Sequence, residues 1–298
     1  MNKVESFNEK CAICLGNFDG LHLAHMDIID AACRYSKEKG IKSGVLLFDR
    51  HTSEVFGGDT KLLTTQEEKF HILEKSGVDF LYVMHFDKAV ASKDGEEFIR
   101  DLLEKFSVDS FFVGYDYAFG KGAGYKVDDL KKLGEKFGFS VNVKACKNID
   151  DEPVSSTRIR DLVLKGEVEK VPGILGREYF ILSRIEKGFG NGKKHLVPTA
   201  NLTISENKLL PADGVYKAVA TILGERYKAA VNVGKNPTFD AGKRTVEAHI
   251  LDFSGDLYDK EIKLEFLEKI RDDIKFESVE DLKKQIENDI KKVQEIKL

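Results

Sequence analysis

Five short apolar runs, spaced by segments of helical length, constrain this chain more than any other feature. They are CAICLG (11–16), GVLLF (44–48), DFLYVMHF (79–86), DSFFVG (109–114) and SVNVKA (140–145). Runs with little polar alternation read as strands buried on both faces. Between them the period changes. Ile28, Ile29, Ala32 and Cys33 mark one helical face, and TTQEEKFHILEKSG (64–77) opens on an N-cap and ends at a glycine. DGEEFIRDLLEKF and DDLKKLGEKFG continue the pattern. Strands separated by helices require right-handed crossovers, so the first half is expected to be α/β, a doubly wound parallel sheet. Such sheets bind ligands beyond the carboxyl ends of their strands.

The first strand end carries GNFDGLHLAH (16–25). Gly16 and Gly20 allow backbone to approach a ligand, and the amides of a helix start attract phosphate. His22 and His25, three residues apart, would share one face of the first turn. Within the frame of Gly16, Phe18, Asp19 and Gly20, two imidazoles are expected to hold a polyphosphate and stabilise charge at an attacked phosphorus. The plainer alternative is that they cap the helix and bond locally.

A second phosphate signal is VSSTRIR (154–160). Ser155 or Ser156 can cap the helix that follows, Thr157 adds a hydroxyl, and Arg158 and Arg160 bring fork geometry suited to phosphate oxygens. In VGYDYAFG, Asp116 follows a strand end, and Phe119 with Gly120 is placed to border a planar ligand.

The second half has another texture. VPGILG (171–176) interrupts a helical pattern with Pro172 and two glycines, so a boundary is expected there, dividing the chain into 1–170 and 171–298. Short β-rich runs follow: REYFILSRIEKG, GVYKAVATIL, RYKAAVNVG, RTVEAHILDF and KEIKLEFLEKI, with a hairpin turn at Gly224. They predict a small antiparallel barrel or sandwich. A C-terminal helix capped by Ser278 would pack through Leu282, Ile286, Ile290 and Val293.

Two constellations here can carry chemistry. GFGNGKKHLVPTANL (188–202) offers a loop with Gly188, Gly190 and Gly192, then Thr199 and Asn201, hard oxygen ligands suited to magnesium. Strand alternation puts Glu247 and His249 on one face, opposite Val246, Ala248 and Ile250. A carboxylate there could take a proton from an alcohol as it attacks ATP. Each also reads as an ordinary glycine turn and an ordinary half-exposed strand.

GNFDGLHLAH is similar to the Gly-x-Phe-Asp-Gly-x-His-x-Gly-His signature of the nucleotidyltransferases. With LFDRHTSEVF (47–56), LTTQEEK (63–69), VGYDYAFGKGAG (113–124) and VSSTRIR in order, the first half resembles the bacterial bifunctional riboflavin kinase/FAD synthetase family. PTANL, GVY, NVGKNPTF, VEAHILDF, DLYDKEIKLEF and IRDDIKF resemble its kinase module, so the likeness spans nearly the whole chain. The resemblance implies a nucleotidyltransferase domain followed by a small β-barrel with a C-terminal helix. By it, Arg160 contacts ATP phosphates, Arg158 sits at a variable position, and Asp116 helps hold ATP or the flavin phosphate. Thr199 and Asn201 bind magnesium with ATP, Glu247 is the base for the ribityl hydroxyl, and Arg271 lies near the flavin or its phosphate. The implied function is phosphorylation of riboflavin to FMN, then adenylyl transfer from a second ATP to give FAD and pyrophosphate. ATP, riboflavin and FMN are the implied partners.

The sequence departs from that pattern at Ala24, at Arg50 and Thr52 where prolines are usual, and at His195-Leu196-Val197 in place of Leu-Gly-Phe. The last change keeps an alternative open: an enzyme of one step, with the barrel a flavin-binding regulator. Another adenylyltransferase is the further rival, against which the β-rich half argues.

Composition supplies the exclusions. A net charge of −4 gives no electrostatic case for a nucleic-acid partner. No apolar run reaches the roughly 20 residues of a membrane span, and MNKVESFNEK lacks the apolar segment of a signal peptide, so a cytoplasmic protein is expected. Cys11 and Cys14 form a C-x-x-C, but on a strand rather than a helix start, which favours buried, reduced thiols over redox or metal chemistry. Oligomeric state has no signal in the sequence.

Overall fold

The run around CAIC forms the central strand of a parallel sheet in the computed structural model, which describes residues 2–58, 60–186, 199–235, 244–255 and 257–298. The chain divides into two units, 1–156 and 157–298. In the first, β1 (Asn2–Lys3) and β2 (Phe7–Cys14) lead into α1 (Leu23–Lys39), β3 (Lys42–Phe48), α2 (Gln66–Leu73) and β4 (Phe80–Met84). There follow α3 (Lys88–Ser92), α4 (Gly95–Lys105), β5 (Phe106–Gly114), a short hairpin of β6 (Ala118–Phe119) and β7 (Tyr125–Lys126), α5 (Val127–Phe137) and β8 (Ser140–Lys144). A two-residue ribbon, β9 (Asn148–Ile149) with β10 (Glu152–Pro153), closes this half.

The six-stranded sheet has the order β1-β4-β3-β2-β5-β8, and every pairing in it is parallel. All five expected strands are present, and the doubly wound fold is as the sequence predicts. The edge strand β1 and the β6–β7 hairpin were not legible, because two residues carry no period. Two cores flank the sheet. Ile13, Leu46, Phe106, Phe111 and Leu130 belong to one; Ala12, Phe18, Leu21, Ile29, Leu47 and Leu81 belong to the other. The strand order reverses between β2 and β5, so the crevice for ligands opens beyond Cys14 and Gly114.

All but the first residue of α6 (Ser156–Lys165), the helix that VSSTRIR opens, belongs to the second unit, and Gly166, at φ 78°, turns the chain out of it. After α7 (Pro172–Leu175) come β11 (Tyr179–Glu186), β12 (Ala200–Leu202), β13 (Gly214–Ile222), β14 (Glu225–Lys235), β15 (Arg244–Ile250), β16 (Glu261–Arg271) and α8 (Val279–Gln294). They close an antiparallel barrel in the order β11-β12-β15-β14-β13-β16, the barrel rather than the sandwich of the two expected possibilities. Only β12 escaped the sequence reading, since three residues beside a proline give no alternation. Leu223 and Gly224, both at positive φ, make the β13–β14 turn. The split at 156/157 falls before the expected change at 170/171. Residues 157–170 pack on the barrel: the Ala212 amide donates to the Val163 carbonyl.

The barrel is filled from within. Tyr216, Phe266, Val231, Val233, Val246 and Ala248 are fully buried. Directly paired residues share a face, so Asn201, Glu247 and Asn232, each half-buried, lie in one row on the outside. The α8 stripe packs as expected, and Ser278 caps it by accepting from the Asp281 amide.

Candidate active sites

The loop after β2 is held from several sides. Phe18 and Leu21 sit at φ 48° and 44°, conformations that cost a non-glycine residue about 1–2 kcal/mol each. Burial offsets the cost: both side chains are fully buried. Gly16 leaves room for the Phe18 ring, because a Cβ there would stand 3.1 Å from it.

The loop is braced from the start of α2. The Asp19 carboxylate accepts from the Leu63 amide at 3.3 Å and the Thr64 amide at 3.1 Å. Thr64 Oγ1 accepts from the Gly20 amide at 2.9 Å, and Lys69 Nζ donates to the Asn17 carbonyl at 3.1 Å. Asp19 is 3% exposed. Its carboxylate is used to tie the loop to the Leu63 and Thr64 amides ahead of α2. Thr64 and Lys69 went unnoticed as site residues in the sequence, where LTTQEEK reads as a capped helix; its capping box, Thr65 with Glu68, is present.

His22 caps α1. Its Nδ1 accepts from the His25 amide at 3.4 Å, so a neutral His22 carries its proton on Nε2. The two imidazoles stack with centroids 3.6 Å apart and planes 15° apart, and Phe18 meets His25 edge-on. Capping, the plainer reading, and an imidazole pair are therefore both realised. Ser156 Oγ donates to the Asp19 carbonyl at 2.9 Å, tying VSSTRIR to the histidine loop. Ser155 precedes α6; Thr157, exposed, and half-buried Arg158 and Arg160 lie in its first turns.

Asp116 is exposed beyond β5. Phe119 is 6% exposed and packs between Tyr117 and Tyr125, each at 5.5 Å, within the core, so most of its ring is already covered. Arg50 and Thr52, where the resemblance expects prolines, flank His51, whose Nδ1 lies 2.7 Å from the Ser53 hydroxyl, and Asp49 accepts from the Phe86 amide and the His85 ring.

In the second unit, Asn201 pairs directly with Glu247, and Glu247 pairs directly with Asn232. Thr199 is exposed just before β12. Glu247 and His249 share the outer face, as alternation predicts. Arg271 is paired across the β13–β16 ladder with Val215, and its guanidinium goes to Asp289 of α8: Nε donates at 3.0 Å, with Gln285 holding the second carboxylate oxygen at 2.9 Å. Asp289 is 4% exposed. Gly188, Gly190, Gly192 and the altered His195-Leu196-Val197 lie outside the described residues.

Among the described residues no cluster of three His, Cys, Asp or Glu side chains could hold a metal by itself. Thr199 and Asn201, neutral oxygen donors beside one carboxylate, fit a hard cation that takes its remaining ligands from phosphate and water. The C-x-x-C is not such a site: Cys11 and Cys14 are fully buried, and burial first, then Asp109, pushes the Cys11 thiol up to about 12. No helix among the described residues is long and apolar enough to cross a membrane.

Two family models match, FAD synthetase over residues 4–158 and riboflavin kinase over 175–297. Bifunctional riboflavin kinase/FMN adenylyltransferases from Bacillus subtilis and Haemophilus influenzae are 33% and 32% identical, covering 94% of this chain and 90% and 92% of theirs. The Escherichia coli relative is 30% identical, covering 97% of this chain and 93% of its own. The crystal structure of a macrolide-efflux protein from Streptococcus pneumoniae is 27% identical, with a TM-score of 0.88 over 99% of both chains. A chain that matches both models lends no support to an enzyme of one step with a regulatory barrel. With two stacked imidazoles at the end of a parallel strand and Glu247 between Asn201 and Asn232 outside a closed barrel, this chain belongs to the bifunctional riboflavin kinase/FMN adenylyltransferase family.

Proposed function

We propose that the two activities are divided between the halves, with the functional boundary at 170/171. The barrel half transfers the terminal phosphoryl group of ATP to the ribityl hydroxyl of riboflavin, giving FMN and ADP. Glu247 accepts the hydroxyl proton as the oxygen attacks, so no covalent enzyme intermediate is needed. Thr199 and Asn201 would hold a divalent cation, Mg2+ on the hardness of these donors; when bound it supplies charge neutralisation on the ATP phosphates.

The α/β half joins FMN to a second ATP. The FMN phosphate is already a nucleophile and needs no base. It attacks the innermost phosphorus of ATP, and pyrophosphate leaves. Gly16 and Gly20 let backbone amides near the phosphates, with Phe18 and Asp19 fixing that loop. His22 Nε2–H, together with His25, stabilises charge on the attacked phosphate. Ser155, Ser156, Thr157, Arg158 and Arg160 bind ATP phosphates, and Asp116 beyond β5 helps hold ATP or the flavin phosphate. The glycines 188, 190 and 192 serve the kinase nucleotide, and Phe119 and Arg271 serve the flavins through the packing that they provide. Both steps consume ATP, and a cytoplasmic place for the protein would supply it.

The observation that carries this reading is the placement of two separate donor sets, His22 with His25 in one unit and Asn201 with Glu247 in the other. Its test is incubation with riboflavin, ATP and magnesium, followed by chromatography of the flavins. FMN together with FAD is expected. FMN as the sole product removes the adenylyl step, and FAD formed only from added FMN removes the kinase step.

A further inference from the structure

Lys69 carries a charge into the buried side of α2. It lies on α2 with 6% of its surface exposed, and lysines are almost never buried without a specific partner. The partner is a backbone oxygen, the carbonyl of Asn17, between Gly16 and Phe18 in the loop before His22. Burial pushes the ammonium's pKa below the ordinary 10.5, while Asp19 and Glu54, the charged groups facing it, pull it back up. The other braces of this loop, Leu63, Thr64 and Ser156, are neutral donors.

We propose that Lys69 is a positioning and affinity residue of the adenylyl-transfer site: its hydrogen bond fixes the loop through Asn17, and its charge strengthens the hold on the ATP triphosphate. This rests on the reading of the first unit as an adenylyltransferase. A cation behind the loop and out of water is little screened by salt. It attracts the bound triphosphate in the ground state and the transition state alike, so its loss appears in KM. The hydrogen bond acts differently. It keeps Asn17, and through it the following turn and His22, in the reactive arrangement, so its loss appears in kcat.

Three variants separate the two roles, read in FAD formation from FMN and ATP. Lys69→Arg keeps charge and donors and should stay within about threefold of the parent. Lys69→Gln keeps a donor without the charge; KM for ATP should rise about tenfold with kcat nearly unchanged. Lys69→Met keeps neither, and kcat should fall as well. FMN formation from riboflavin should be unchanged throughout. If Lys69→Met does not fold by circular dichroism, the Arg and Gln pair decides the matter. A Gln variant equal to the parent in KM, or one impaired in kcat alone, overturns the proposal. A parent protein that makes no FAD at all overturns the underlying reading instead.

Discussion

Asn201 and Glu247 are direct cross-strand partners on the outer face of the barrel. Opposed residues in an antiparallel pair hold their Cβ atoms about 4.5–5.5 Å apart, so a ligand oxygen bound by the first lies within reach of the second. Glu247→Gln keeps the shape and removes the proposed base. FMN formation should fall by roughly 10²–10⁴-fold, while FAD formation from supplied FMN continues. Chromatography of both reactions checks this; a parallel loss of the two would break the division of labour.

His22 caps α1, and one substitution can separate that job from the catalytic one proposed for it. Asparagine is a good N-cap, so His22→Asn should leave the unfolding midpoint nearly unchanged, whereas His22→Ala should cost about 1 kcal/mol. Both lose the Nε2–H donor, and FAD formation should drop by roughly 10²-fold or more in each. An Asn variant with parental turnover would reduce His22 to a cap.

Thr64→Val is nearly isosteric, yet it strips the Gly20 amide of its acceptor and Asp19 of a donor. A buried group left without its partner costs about 1–3 kcal/mol. Denaturant unfolding followed in the α/β half should show a loss of that size. The kinase reaction should be unaffected.

Arg271 and Asp289 test whether the arginine anchors a helix or touches flavin. Removing one member of a buried ion pair is costly, about 3–5 kcal/mol when both are fully enclosed; here Arg271 keeps 17% side-chain exposure, so a somewhat smaller loss is expected for Arg271→Met. The double change Arg271→Met with Asp289→Leu should recover much of the stability. If it also recovers FMN formation, the arginine's role is to hold α8; stability without activity assigns it to the flavin.

The cysteines give a pH prediction. The Cys11 thiol moves from 9.0 to about 12 because burial, and then Asp109, disfavours the thiolate; Cys14, fully buried, moves up likewise. The folded state therefore binds a proton that the unfolded chain releases above pH 9, so stability should decline as pH rises from about 9 towards 12. At pH 8, iodoacetamide should modify exposed Cys146 first and leave Cys11 and Cys14 intact, as mass spectrometry can report.

Long periodic elements were legible in the sequence because burial writes itself into spacing. CAIC, GVLLF and DSFFV could only be two-sided strands, and Thr65 with Glu68 announced the start of α2. Glu247 and His249 fell on the predicted face for the same reason. What escaped depends on contacts distant in sequence. Nothing near Thr64 or Lys69 says that they will brace a loop more than 40 residues earlier. Nothing near Arg271 announces Asp289, 18 residues on. The two-residue strands were invisible because a period needs several residues to exist.

A plugged cylinder with its polar groups on the skin assigns opposite duties to successive residues. Along β15, Val246, Ala248 and Ile250 point into the filled interior while Glu247 and His249 point out. Evolution, or an engineer, can therefore rewrite the inward set for heat tolerance, and the outward set for new polar contacts, as nearly separable alphabets on one strand.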